Sequence, residues 1–145
     1  MPVSILASTA GRETKLKSHA NIKIEPYLPG DKATARSSLV ICNGGSATTY
    51  AALRQGVPIV GVASNMDQLL TMSYVKKARA GILIRPSELN VSTLESAVLK
   101  ILDSDFYKLG VKKVAKDFAE YNSNVLFKTF IDNFFDLTQA KTFTL

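Results

Sequence analysis

Residues 40–68 read VICNGGSATTYAALRQGVPIVGVASNMDQ, and the order of apolar runs and turns within them decides the fold. The run that enters this stretch, residues 38–42 (SLVIC), is too continuously apolar for a strand with one wet face, so a buried strand is expected. Asn43-Gly44-Gly45 breaks it. Residues 46–55 then suit a helix that Gly56 closes at its C-terminus. Residues 58–63 (PIVGVA) form the next strand, and residues 67–80 form a helix capped by Gly81. Residues 82–84 are a short strand ended by Pro86. Short buried strands alternating with helices predict a parallel α/β sheet.

The same pattern extends upstream. Residues 2–8 (PVSILAS) read as a buried strand broken at Gly11, and residues 12–20 are polar. Residues 21–28 (NIKIEPYL) start as a strand, Ile22 and Ile24 alternating with charge, and stop at Pro26 and Pro29. Downstream the pattern is helical only. Ser92 and Glu95 have capping-box spacing and open a helix whose inner face carries Leu94, Val98, Ile101 and Leu102. Phe106, Leu109, Val114 and Phe118 suit the inner face of a second. Phe127, Phe130, Ile131, Phe134 and Phe135 recur at helical spacing on a third. That stripe suits core packing, a ligand role or, with the tail after it, a face that docks against another domain. Repeats, low-complexity segments and linkers are absent, so residues 1–145 are expected to form a single domain.

Composition narrows the functional classes. With 145 residues, 46% apolar and 21% charged, the chain has the make-up of a globular domain that buries roughly two thirds of its unfolded surface. A net charge of +6 favours anionic partners, yet Lys and Arg are dispersed without an Arg-rich block. A phosphate-bearing small ligand accounts for that charge, and nucleic acid is not an expected partner. The single cysteine, Cys42, excludes an internal disulfide, and its apolar setting suits a structural thiol rather than a nucleophile. His19 is the only histidine, so nothing points to a Ser-His-Asp or Cys-His unit. No metal site and no cofactor are expected. No apolar stretch reaches the length of a membrane span and the N-terminus has no signal-peptide pattern, which makes cytoplasmic the expected location.

Ligands of open parallel sheets bind where loops converge at the carboxyl ends of the strands. In Asn43-Gly44-Gly45-Ser46-Ala47-Thr48, the two glycines let the backbone turn sharply and approach a ligand closely. Ser46 and Thr48 open a helix whose first amides lack partners and whose dipole end is positive, which suits a phosphate or diphosphate. A plain strand-to-helix turn with a Ser or Thr cap has the same spacing. In the next turn, Asp67 and Gln68 offer a carboxylate acceptor and an amide that suit the vicinal hydroxyls of a sugar, while Asp67 alone would also serve as a helix cap. Tyr27, beside Leu28 and the rigid Pro29, offers a flat face for a nucleobase or packs as a structural ring.

In this order the segments resemble the C-terminal domain of GT-B glycosyltransferases, in the branch of the UDP-glycosyltransferases, macrolide glycosyltransferases and MurG-like enzymes. Residues 40–68 are similar to that family's signature of strand, His-Gly-Gly-x-Gly-Thr type turn, helix, Gly-Val-Pro, strand and Asp-Gln. Tyr27-Leu28-Pro29 stands where the family has an aromatic-x-Pro-Gln segment, and residues 6–12, with Thr9 and Gly11, resemble the loop that borders the nucleotide. The resemblance implies a Rossmann-like parallel sheet with flanking helices, the donor half of a GT-B architecture. It implies that Asn43, Gly44, Gly45, Ser46 and Thr48 hold the diphosphate of a nucleoside-diphosphate sugar, a UDP-sugar first. Asp67 and Gln68 would hold the donor sugar, and Tyr27, Leu28, Thr9 and Gly11 the nucleoside.

The departures are specific. Asn43 replaces the family His, Ala47 the second loop Gly, Gly30 the family Gln, and Ala51 the Glu with which many members hold the ribose. The family's first strand-helix unit, which lies at the sheet centre beside the strand ending at Cys42, has no counterpart here, nor has the N-terminal acceptor domain. The expected partners are therefore that acceptor domain or a second chain, and the open sheet edge allows a homo-oligomer. On this reading the chain is a glycosyltransferase donor domain, inactive in isolation. A nucleotide-sugar-binding remnant or regulatory domain is the alternative, and a sugar-nucleotide epimerase fragment ranks last for want of acidic and His catalytic residues.

Overall fold

A computed structural model describes residues 3–142, with side chains described through residue 135. Pro2 and the end of the tail expected at an interdomain contact lie outside the described residues. In chain order the elements are β1 (Ile5–Ser8), β2 (Ile22–Glu25), α1 (Gly30–Ala35), β3 (Val40–Cys42), α2 (Ser46–Arg54), β4 (Ile59–Val62), α3 (Met66–Lys77) and β5 (Gly81–Ile84). A 3-10 turn (Pro86–Glu88) leads to α4 (Val91–Leu102), α5 (Asp105–Glu120) and α6 (Ser123–Thr142).

All described strand pairs are parallel, as the alternating pattern predicts. β4 lies between β3 and β5, with Val40 opposite Ile59 and Ile59 opposite Gly81. Because successive strand residues face opposite ways, β4 serves two core clusters. Ile59 packs with Leu53, Met72, Val75 and Val111 from α2, α3 and α5. Val60 packs with Ile84, Ala97, Ile101 and Tyr107 on the α4 side. Gly81 keeps the second ladder tight, since a Cβ there would overlap the Ile59 carbonyl oxygen.

The sheet departs from expectation in being divided. β1 and β2 form a separate pair, linked to the three-stranded sheet through α1 packed on α2. The expectation of buried strands fails in β1 and in the middle of β3. Ile5 and Leu6 of β1 are about half exposed, and Ile41 of β3 is 51% exposed. Val40 and Cys42 pack on the α2–α3–α5 cluster, whereas Ile41 belongs to neither cluster.

Local corrections have simple causes. Gly81 is a strand residue rather than a cap; α3 ends at Lys77 with Ala78 as its C-cap, and Arg79 takes the left-handed conformation (φ 59°). α4 starts one residue before Ser92, because the Asn90 side chain accepts from Thr93 N at 2.9 Å and supplies the cap. The inner face of α5 is Tyr107 and Val111, joined by Val114 and Phe118 as expected, with Phe106 and Leu109 exposed. The α6 stripe is not core: Phe127, Phe130, Phe134 and Phe135 are all more than half exposed. The sequence pattern does not foresee α1, since Pro29-Gly30 reads as a turn.

Candidate functional site

The turn before α2 is built by its own backbone. Gly44 has φ +77°, and a Cβ on it would meet Met72 Cγ at 2.5 Å, so glycine is required both for conformation and for packing on α3. Gly44 N donates to Cys42 Sγ at 3.3 Å and Gly45 N to Asn43 Oδ1 at 3.0 Å. The Asn43 side-chain oxygen is thus spent inside the loop, which leaves its Nδ2 for a ligand. Gly45 is the N-cap residue and provides no side-chain cap. The first amide to find an acceptor is Thr49 N, bonded to Gly45 O at 3.1 Å. Ser46, Ala47 and Thr48 therefore present amides without an acceptor among the described residues. Below the turn, Thr49 is buried, with its hydroxyl beside the Cys42 thiol. Burial pushes the Cys42 thiol above its ordinary pKa, against the opposing pull of the Gly44 amide and the neighbouring Thr49 side chain. That setting suits the structural thiol that the apolar run suggests.

The turn before α3 is closed instead. Asn65 Oδ1 accepts from Gln68 N at 2.9 Å, and Gln68 Oε1 accepts from Ser64 N at 2.9 Å and Ser64 Oγ at 3.1 Å. Asn65, not Asp67, is the cap. The Asp67 carboxylate, exposed in the first turn, makes no hydrogen bond or ion pair among the described residues, and the Gln68 Nε2 group is likewise uncommitted.

The ends of β1 and β2 are zipped together. Thr9 N donates to Glu25 O at 3.0 Å, Gly11 N to Pro26 O at 3.1 Å, and Ser8 Oγ to Pro26 O at 3.1 Å. Gly11 (φ +76°) lies against Tyr27, where a Cβ would overlap the phenol oxygen. The structure therefore brings Thr9, Gly11 and Tyr27 together, with the Tyr27 side chain 74% exposed and Leu28 half-buried. A structural role deep in the core is ruled out for this ring.

Between α1 and α2 lies a recess of about 370 Å³ lined by Asp31, Ala47, Tyr50, Ala51, Arg54 and Gln55. Sequence reasoning missed Asp31, because it missed α1. A larger groove of about 640 Å³, lined by Lys77, Arg79, Phe106 and Lys113 among others, sits at the far end of α3 from Asp67. It lies beside the start of β5, away from the carboxyl ends of the strands. Among the described residues no three His, Cys, Asp or Glu side chains gather to hold a metal ion, and no helix is long and apolar enough to cross a membrane.

Comparison with known proteins places this geometry in context. Residues 5–124 match the family model for the C-terminal domain of erythromycin biosynthesis protein CIII-like proteins. The chain is 42% identical over 119 residues to a PGL/p-HBAD biosynthesis glycosyltransferase of Mycobacterium tuberculosis, covering 82% of this chain and 28% of that protein. It is equally similar to a PGL/p-HBAD biosynthesis rhamnosyltransferase of Mycobacterium bovis, 42% over 119 residues, covering 26% of it. The chain thus spans little more than a quarter of the length of these relatives. Among solved structures, the spinosyn rhamnosyltransferase SpnG complexed with thymidine diphosphate superposes with a TM-score of 0.74 at 21% identity, over 83% of this chain and 34% of that one. The fold is that of the C-terminal half of a GT-B glycosyltransferase.

Proposed function

The chain belongs to the erythromycin biosynthesis protein CIII-like C-terminal domain family, and from that premise we propose that it is the part of a glycosyltransferase that holds a nucleoside-diphosphate sugar. The observation that carries this reading is the open N-terminus of α2, where the amides of Ser46, Ala47 and Thr48 await an acceptor beside two glycines. Amides and a helix dipole aimed at a diphosphate stabilise the charge that grows on it as the sugar leaves. The Ser46 and Thr48 hydroxyls and Asn43 Nδ2 add donors. Asp67 and Gln68, neither of them used as the α3 cap, take the donor-sugar hydroxyls, and Thr9, Gly11, Tyr27 and Leu28 border the nucleoside, with UDP as the first candidate. Transfer to an acceptor requires an acceptor-binding domain, in the same protein or in a partner chain, and a cytoplasmic location belongs to the same proposal.

The proposal includes the divided sheet. The half-exposed Ile5 and Leu6 of β1 and Ile41 of β3 are edge residues suited to a further parallel strand between the two pairs. The acceptor-bearing part of the protein would supply it, and self-pairing of copies through the same edges is the competing outcome.

Calorimetric titration of the folded chain with UDP and dTDP tests the site. Binding that is lost in Gly45→Leu with the melting temperature unchanged is the expected result, since Gly45 has ordinary φ and only the Asn43 side chain near its Cβ position. A folded wild-type chain that binds no nucleoside diphosphate, alone or joined to its acceptor domain, would overturn the reading.

A further inference from the structure

The groove of about 640 Å³ beside the start of β5 takes no part in the proposed donor site. Its walls come from the C-terminal end of α3 and from α5. Phe106 and Leu109 supply apolar surface there and stay 49% and 67% exposed. Lys77, Arg79 and Lys113 line the same groove, and none of them makes an ion pair among the described residues. Asp117 is the one carboxylate in the lining. On α5 the paired lysines are Lys108 and Lys116, which leaves the cations at the groove uncompensated.

The packing holds this surface in shape. Arg79 has φ 59°, a region that residues with a side chain disfavour. Gly110 of α5 lies against it so closely that a Cβ there would overlap the Arg79 carbonyl oxygen. The Arg79 guanidinium sits over the Phe106 ring, 5.0 Å from its centroid. Cation and apolar surface are thus presented together.

Three cations against one carboxylate call for an anionic partner, and exposed Phe and Leu among them call for an apolar one. The groove walls are helical, with their backbone groups bonded internally, so an extended peptide would find no main-chain partners. A bilayer with anionic headgroups meets both demands: phosphates for the cations, and the hydrocarbon boundary for Phe106 and Leu109. No described helix is long and apolar enough to cross a membrane, so the contact is a peripheral one. Docking at the start of β5 leaves the turns before α2 and α3 uncovered.

We propose that this groove docks the chain on an anionic lipid surface, with Lys77, Arg79 and Lys113 on the phosphates. Sedimentation of the full chain with vesicles tests this. The wild type should bind vesicles of mixed phosphatidylcholine and phosphatidylglycerol, weakly in high salt, and should not bind phosphatidylcholine alone. Lys77→Gln, Arg79→Gly and Lys113→Gln should each weaken binding by about fivefold and together by about a hundredfold. Glycine accepts the φ of Arg79, so that variant should melt no lower than the wild type. Leu109→Ser should weaken binding severalfold without changing its salt dependence, since it removes buried apolar area and no charge. Neutralising Lys15, Lys17 and Lys32 together should matter far less; an equal loss would mean that net charge alone drives binding and would overturn the proposal. So would a wild type that fails to sediment with the mixed vesicles, which would give the groove to an acidic protein partner instead.

Discussion

α2 and α3 follow neighbouring parallel strands and begin in opposite ways. At α3 the Asn65 side chain caps Gln68 N and the Gln68 side chain holds Ser64, so the turn is closed by its own residues. At α2 the N-cap is Gly45, no side chain caps the helix, and the amides of its first turn stay open. A side-chain cap stabilises a helix by about 1 kcal/mol relative to alanine, and glycine forgoes part of it. Two turns at the same level of the sheet therefore divide the work. One is closed around its own residues and presents Asp67 outward, while the other keeps its backbone free for the oxygens of a ligand.

The difference between the turns breaks most visibly at Gly44. Gly44→Val places a branched side chain at φ +77° and against Met72, and should destabilise the domain by about 3 kcal/mol in urea unfolding. A loss well under 1 kcal/mol would mean that the turn relaxes freely and glycine is not required there. Gly45→Asp is the sharper test, because it gives α2 the cap that α3 has. Gly45 already has extended cap geometry (φ −65°, ψ 146°), so stability should rise by a few tenths of a kcal/mol while nucleoside-diphosphate affinity falls at least about tenfold. Unchanged affinity would show that the open amides are not where the diphosphate binds. Asn65→Ala makes the reciprocal change and should cost about 1 kcal/mol of stability while leaving UDP affinity as in the wild type. Weaker UDP binding in this variant would tie the two turns into one site.

The contrast also marks what was legible in the sequence. Strands and helices from β3 to β5 follow from apolar runs and from Gly56, whose φ of +68° fits the cap expected of it. The open turn is legible as well, since two glycines in succession leave no side chain to close it. Caps are less so. Asn65 and Asp67, or Asn90 and Ser92, are chemically equivalent candidates, and only the backbone path decides which oxygen reaches the free amide. Burial at the margins is least legible. Ile41 and the α6 phenylalanines have the periodicity of core residues, yet no described core cluster contains them. Periodicity reports that a face wants cover without saying what provides it. Asp31 escaped notice for a different reason: α1 is six residues long and is entered through Pro29 and Gly30, which carry a turn's signature.

The smallest effect separates the two turns by pH. The α2 turn is pinned by Cys42 Sγ accepting from Gly44 N, and the α3 turn by the Gln68 amide oxygen, which does not titrate. Burial raises the Cys42 pKa in the folded chain, so as pH climbs the unfolded chain ionises its thiol first. The stability tied to the neutral thiol is intact below the ordinary thiol pKa and is lost as pH rises from there through the higher folded value. Urea unfolding at about pH 8 and about pH 10.5 should show a larger loss for the wild type than for Cys42→Ala, lysine and tyrosine titration being common to both. At neutral pH the same thiol should alkylate more slowly than a free cysteine. Equal losses in the two proteins would mean that the thiol ionises alike folded and unfolded, and that the sulfur beneath the α2 turn is as wet as the turn it supports.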